Sequence, residues 1–559
     1  MHFEKLVLLY ESLEKTSKKL EKASLIAEFI KTLENQDLKH TIHLLQGHVF
    51  PFYAQEKIGF NANTMVKALQ QAADVSKEEV IKKWKTLGDL GVVGEELLNK
   101  KKQLTLVSQE LSLKKIYENI QKLATIEGKG TVNKKIDYVL ELLNQASSKE
   151  AKYIIKIVLE ALRIGVSEGI IRDAIAKAFE KESEDIEDAF NVLGDYAEVA
   201  KKAKENTLDK KTLTPGKPFK VMLAILIKDI LQGFKQIGNP CQIEYKYDGM
   251  RLQIHVTKKG IFLFTRRLEN LTTQFPDIVE NIQEQHLDKE AIFDCEVVGY
   301  DHKTKAYLPF KNISQRIKRK YDIQEISKEF PVECILFDLV YYDNKTLLNE
   351  PFKKRIELLH QIIKPKERKV TFSKSMQTDD EKEAQRFYTK ALQEGQEGLI
   401  FKNLDAPYKA GRYVGFMAKL KPTLEPLDLV IVKAEYGHGK RANWLSSFTV
   451  ACKEKDTFLE VGKVSTGVKE KSKEGVSFKE LTKLLKPLVT KSKGNTIEVK
   501  PQIILEVAYE EIQKSPTYDA KMALRFPRVI QLRNDKDVTE INTLQDIERI
   551  YHVQKGKKS

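Results

Sequence analysis

Glu244-Tyr245-Lys246-Tyr247-Asp248-Gly249-Met250-Arg251 is the stretch around which this chain is organised. Residues 242–245 are strand-like and deliver a lysine, and the turn dipeptide Asp248-Gly249 follows at once. Leu252, Ile254 and Val256 then alternate with Arg251, Gln253 and His255, the pattern of a half-buried strand. Lys246 is therefore expected at a strand end, between two tyrosines and close to Glu244 and Asp248. Apolar walls disfavour the charged form of a lysine, which frees its amine as a nucleophile. Alone, Lys-x-Asp-Gly also reads as a surface hairpin with its lysine in water, so the segments downstream decide.

At 559 residues the chain is too long for one core, and three or so domains are expected. An apolar share of 41% supports packed domains rather than disorder. No run of about 18 apolar residues occurs, so no transmembrane helix is expected. The opening Met1-His2-Phe3-Glu4-Lys5 is unlike a signal peptide, which points to an intracellular protein. Cys241, Cys295, Cys334 and Cys452 are far apart and form no Cys-x-x-Cys pair, which argues for buried thiols and against zinc or a disulfide framework. The net charge of +15 fits a polyanionic partner such as nucleic acid; it equally fits the lysine- and glutamate-rich surface of a heat-adapted protein.

In chain order, residues 1–212 read as all-helical, with polar and proline-rich sequence at 203–218 marking a linker. Gly128-Lys129-Gly130-Thr131 and the turn beginning Arg163-Ile164-Gly165 could present backbone N–H groups to phosphate, or simply turn corners. Residues 213–421 read as α+β on antiparallel sheets, with strands over 242–245, 252–256, 261–265, 291–298, 332–340, 398–402 and 418–421 and helices over 353–363 and 380–394. Residues 422–559 read as all-β, a small barrel of the oligonucleotide-binding type with strands over 429–434, 448–452, 459–464, 503–509 and 529–532 and a helix over 478–485. The tail 555–559 reads as disordered.

The middle region repeatedly sets a charged or aromatic residue where an apolar strand stops: Lys246, Glu296, Phe337, Glu397, and the pair Lys419 and Lys421 on one strand face. Such a set suits nucleotide chemistry. Carboxylates hold Mg²⁺ or a ribose hydroxyl, a ring stacks on a base, and paired lysines neutralise charge on a phosphate.

These segments, in this order, resemble the ATP-dependent DNA ligases of archaeal and eukaryotic type. The resemblance rests on Glu244-x-Lys246-x-Asp248-Gly249-x-Arg251, on 265–270, on 293–298, on Phe337-Asp338-Leu339, on 397–402, on Lys419-Leu420-Lys421, and on Arg525-Phe526-Pro527-Arg528 through Lys536. Ala151-Lys152-Tyr153 and 162–166 extend it into the helical region. It implies a helical DNA-binding domain, an adenylation (nucleotidyltransferase) domain and an OB-fold domain, with ATP and Mg²⁺ as cofactors. Lys246 would take AMP as a phosphoramide. Glu244 would contact adenine and Phe337 stack on it. Arg251, Arg266 and Glu296 would meet the sugar or phosphate, Glu296 and Glu397 would hold Mg²⁺, and Lys419 and Lys421 would contact the α-phosphate. Arg525, Arg528 and Lys536 would orient the leaving pyrophosphate. Met417 stands where the family commonly has tryptophan. Arg412 lies seven residues before Lys419, where an arginine is expected six before, and Tyr413 holds that register; Arg412 is a nucleotide contact only from a shifted loop.

The resemblance implies sealing of nicks in duplex DNA by a monomer, with a sliding clamp as a candidate further partner and no membrane. An RNA ligase or capping-type lysine nucleotidyltransferase shares the Lys-x-Asp-Gly logic, but the large helical region argues against both. A DNA-binding scaffold with a dead site is a third reading, opposed by the intact set of nucleophile, carboxylates and lysines.

Overall fold

The computed structural model describes residues 1–559 other than 55, 103–109, 129, 210–211, 318–320, 413–414, 423, 438–440, 442, 471–475 and 555–559. Lys129 of the first glycine turn, Tyr413 and the tail 555–559 thus lie outside the described residues.

Among the described residues, helices from Phe3–Lys15 to Tyr196–Lys204 make up the first unit. Apolar residues at helical spacing, such as Phe3, Leu6 and Tyr10 or Ile154, Ile157 and Val158, all enter one core. Local sequence sets several ends. Ser147 and Glu150 form a capping box on Ser148–Val158. Gly194 ends Ser183–Leu193 in the left-handed region at φ 69°, where a Cβ would stand 2.5 Å from the Pro218 carbonyl oxygen.

The middle unit holds two sheets. One runs Ile225–Ile227, Met417–Leu420, Gly398–Lys402, Cys241–Lys246, Ser375–Thr378. The other runs Gly260–Thr265, Met250–Thr257, Ala291–Tyr300, Val332–Tyr342, Lys345–Thr346, with two short strands added. Pairing is antiparallel except for Ile225–Ile227 on Met417–Leu420 and Val332–Tyr342 on Val370–Phe372. The turn 247–249 is where the chain leaves the first sheet and enters the second, so Lys246 sits at their junction.

One expectation fails here. The strand Met250–Thr257 has no water-facing side: Gln253 and His255 are as buried as Leu252 and Ile254. Residues 216–219, at the end of the stretch read as a linker, fold over that face. Gln253 Nε2 donates to the Phe219 carbonyl at 2.6 Å, and the Gly216 N–H donates to His255 Nδ1 at 3.1 Å. Paired amide and imidazole groups can be buried where unpaired ones cannot.

The third unit is β-rich. It contains the five expected strands, four of them lengthened and the one expected over 503–509 trimmed to Ile504–Ala508, and the helix Phe478–Leu485. It also contains two unexpected hairpins, Val489–Lys493 with Thr496–Val499 and Glu511–Lys514 with Met522–Arg525, and a closing helix Leu544–Val553. Every residue of Val489–Lys493 is exposed, so that strand carries no apolar alternation to read. All four cysteines are buried free thiols. No helix among the described residues is long and apolar enough to cross a membrane.

Candidate active site

Lys246 ends its strand opposite Gly398, which brings Glu397 beside it. The Lys246 ammonium pairs with Glu397 Oε2, and Lys421 Nζ approaches the same oxygen at 3.3 Å. Burial pushes the Glu397 carboxyl up, but the two lysines outweigh it and hold it down at about 2. Glycine is required next to it: Gly398 has φ 140°, and a Cβ there would collide with the Leu420 carbonyl. Lys419 lies in the strand Met417–Leu420, and Lys421 follows just past its end. The Lys419 amine is lowered by burial and then by Lys421, Lys246 and Arg266, so four cations share this corner.

The carboxylates around them are under strain of the opposite kind. Burial, then Glu397 and Glu511, push Asp248 up to about 6. Burial pushes Glu296 up to about 8 against the pull of Lys246 and Arg251. Gly249 permits this crowding, since a Cβ there would stand 2.8 Å from Glu296 Cγ and 2.5 Å from the Val297 carbonyl oxygen. The third unit reaches the same corner. Glu510 lies 3.0 Å from Lys421, and Arg525 lies 3.1 Å from Glu511 while also feeling Glu397 and Asp248.

Phe337 presents its ring to two cations. Arg251 stands 5.3 Å and Lys402 4.5 Å from its centroid. Glu244 is buried and lies 2.9 Å from Lys402 Nζ. Arg251 forks onto Asp294 at 2.8 and 2.5 Å and also donates to the Met222 carbonyl, so its guanidinium is committed to the protein.

Two expected residues stand elsewhere. Arg412 reaches the first unit instead, with Nε 2.6 Å from Asp188 and a terminal nitrogen 2.7 Å from Glu184, both on Ser183–Leu193. Lys536 is 2.6 Å from Asp428 within the third unit, where Arg533 joins it. Arg528 is exposed at the start of Arg528–Leu532 and bridges Thr466. Sequence reasoning gave no role to Lys402, Asp294, Tyr408, Glu510 or Glu511. Lys402 and Asp294 lay inside the quoted segments; an unbroken neighbouring motif was the signal available for them. Tyr408, whose hydroxyl donates to Asp294 at 2.7 Å, and Glu510 carried none.

Comparison with known proteins matches this organisation. The family model described as ATP dependent DNA ligase domain covers residues 221–421, that of DNA ligase N terminus 2–176, and that of ATP dependent DNA ligase C terminal region 441–536. A DNA ligase of Nanoarchaeum equitans is 48% identical over 100% of this chain and 99% of its own. One of Thermococcus fumicolans is 37% identical over 100% of both. A solved structure named "Pmar-Lig_Pre." shares the fold at a TM-score of 0.52 and 17% identity, covering 95% of this chain and 99% of its own. The chain thus belongs to the ATP-dependent DNA ligases, with the helical, adenylation and β-rich units of that family in order.

Proposed function

We propose that the corner around Lys246 carries out nick sealing in duplex DNA by three displacements at phosphorus. The observation that supports it most is the sharing of Glu397 by Lys246 and Lys421, beside Lys419 and Arg266: a strand-end amine ringed by cations fit for a polyphosphate.

Lys246 first loses to solvent the proton it holds in its pair with Glu397, whose carboxyl is held too low to keep it. Its lone pair then attacks the α-phosphorus of ATP, a P–N bond forms, and the bond to pyrophosphate breaks. Lys419 and Lys421 stabilise the charge that grows on the α-phosphate oxygens. Phe337 stacks on the adenine and Glu244 accepts from its amino group. Arg525 would steady the leaving pyrophosphate. An oxygen of the nick's 5′-phosphate next attacks the AMP phosphorus, the P–N bond breaks, and Lys246 regains a proton. The neighbouring 3′-hydroxyl finally attacks the activated 5′-phosphorus, its proton passes to solvent, the bond joining the two phosphates breaks, and AMP leaves.

Glu296 and Glu397 are the hard oxygen donors that would hold Mg²⁺; among the described residues no cluster of three such donors stands ready, so phosphate oxygens and water would complete the shell. When bound, the ion would draw charge from the phosphates. The first unit would grip the duplex backbone and the third would close over ATP and then swing to DNA, with units bounded at 1–212, 213–421 and 422–559. We expect a monomer, and a sliding clamp as a further partner.

The test is label transfer. Purified protein is incubated with ATP labelled at the α-phosphate and Mg²⁺, denatured, and examined for labelled protein. Label that depends on Lys246 and is discharged by unlabelled nicked DNA is expected. Label that only RNA ends discharge would point to an RNA-directed relative.

A further inference from the structure

Behind the face of Phe337 lies a buried ion pair to which the reaction above assigns only one partner. The side chains of Glu244 and Lys402 are 3% and 5% exposed, with Nζ 2.9 Å from Oε1. The same Nζ donates to the Phe337 carbonyl at 3.0 Å and sits 4.5 Å from that ring's centroid. Gln242 Nε2 donates to Glu244 Oε1 at 2.9 Å. The antiparallel register of Gly398–Lys402 on Cys241–Lys246 fixes this cluster, setting Lys402 opposite Gln242 and Ile400 opposite Glu244. One cation therefore touches both the edge reader and the stacking platform.

The chemistry of the pair bears on which purine fits. An ionised carboxylate only accepts hydrogen bonds, whereas a protonated one also donates. A 6-amino purine offers a donor at that position and a 6-oxo purine an acceptor. A buried carboxyl without a cation takes up a proton and would then accept either base. Of the two other side chains whose ionisation feels Glu244, neither replaces the Lys402 charge: burial lowers His360 and raises Tyr247, and Lys246 farther along the strand is paired with Glu397.

We propose that Lys402 is the residue that makes this pocket amino-selective. It holds Glu244 as an acceptor-only carboxylate and ties it to Phe337, so that ATP is taken and 6-oxo nucleoside triphosphates are refused. Lys402 acts through Glu244 and is a positioning residue. The inference rests on the reading of Glu244 and Phe337 as base contacts.

The experiment compares formation of the lysine–nucleotide adduct from α-labelled ATP and GTP in full-length protein. Lys402→Gln keeps a donor but loses the charge, Lys402→Arg keeps the charge, and Glu244→Gln places an amide that both donates and accepts. Circular dichroism confirms that each is folded. The expected result is a fall of about tenfold or more in the ATP-to-GTP ratio of kcat/KM for Lys402→Gln and for Glu244→Gln, with Lys402→Arg close to the parent. If Lys402→Gln is unfolded, Lys402→Met decides in its place. Should Glu244→Gln lose discrimination while the uncharged Lys402 variant keeps it, the role of Lys402 is overturned and the base contact stands. Should both keep it, the base-contact reading itself fails.

Discussion

Lys421 Nζ lies 3.3 Å from Glu397 Oε2, the oxygen that also receives the Lys246 ammonium. A single carboxylate therefore spaces the Lys246 and Lys421 amines, and its removal leaves two ammonium groups facing each other. Glu397→Ala is expected to slow adduct formation from ATP by about 10²–10³-fold while the protein stays folded. Quenched-flow label transfer measures it; a rate within threefold of the parent would remove Glu397 from the chemistry.

Gly398 offers a purely steric test of the same corner. A side chain at φ 140° is strained, and its Cβ would meet the Leu420 carbonyl, shifting Glu397 or the strand that carries Lys419. Gly398→Ala is expected to cost about 2 kcal/mol or more in stability and most of the activity. Thermal unfolding and adduct formation, measured together, check both halves.

Arg412 gives the opposite signature. Its ion pairs with Glu184 and Asp188 join the adenylation unit to the helical one, next to a hydrogen bond from the Lys220 N–H to the Asn191 carbonyl at 2.7 Å. Partly exposed pairs of this kind are worth about 0–1 kcal/mol each. Arg412→Ala should leave adduct formation within about twofold of the parent and weaken nicked-DNA binding by up to about tenfold, read by fluorescence anisotropy.

Binding of nicked DNA should fall steeply with salt, by about 10³-fold or more between roughly 50 and 200 mM, if the +15 charge is spent on phosphate contacts. Affinity that is flat over that range would assign the charge to solvation instead.

His255 predicts a pH dependence of stability. Burial holds its imidazole down at about 3, against an ordinary value near 6.5, and its Nδ1 must accept from the Gly216 N–H. The unfolded chain therefore binds the proton that the folded chain refuses. This contribution is fully present above pH 6.5 and is lost as pH falls from there toward 3, at up to about 1.4 kcal/mol per unit. Chemical denaturation from pH 7.5 to 4.5 should show that slope, and His255→Gln should flatten it.

The sequence by itself determined the helical, α+β and β-rich units and the positions of Lys246, Glu397, Lys419 and Lys421. Helical and alternating apolar periods are local properties, and a strand-end lysine beside Asp248-Gly249 is written in adjacent residues. Its reach stopped where partners lie far apart along the chain. The covering of Gln253 and His255 by 216–219, the commitment of Arg412 to Glu184 and Asp188, and the pairing of Glu244 with Lys402 each depend on how two sheets and three units meet. Tertiary structure decided these because a buried charge or amide takes whichever complementary group packing brings within about 3 Å, and sequence spacing does not encode that distance.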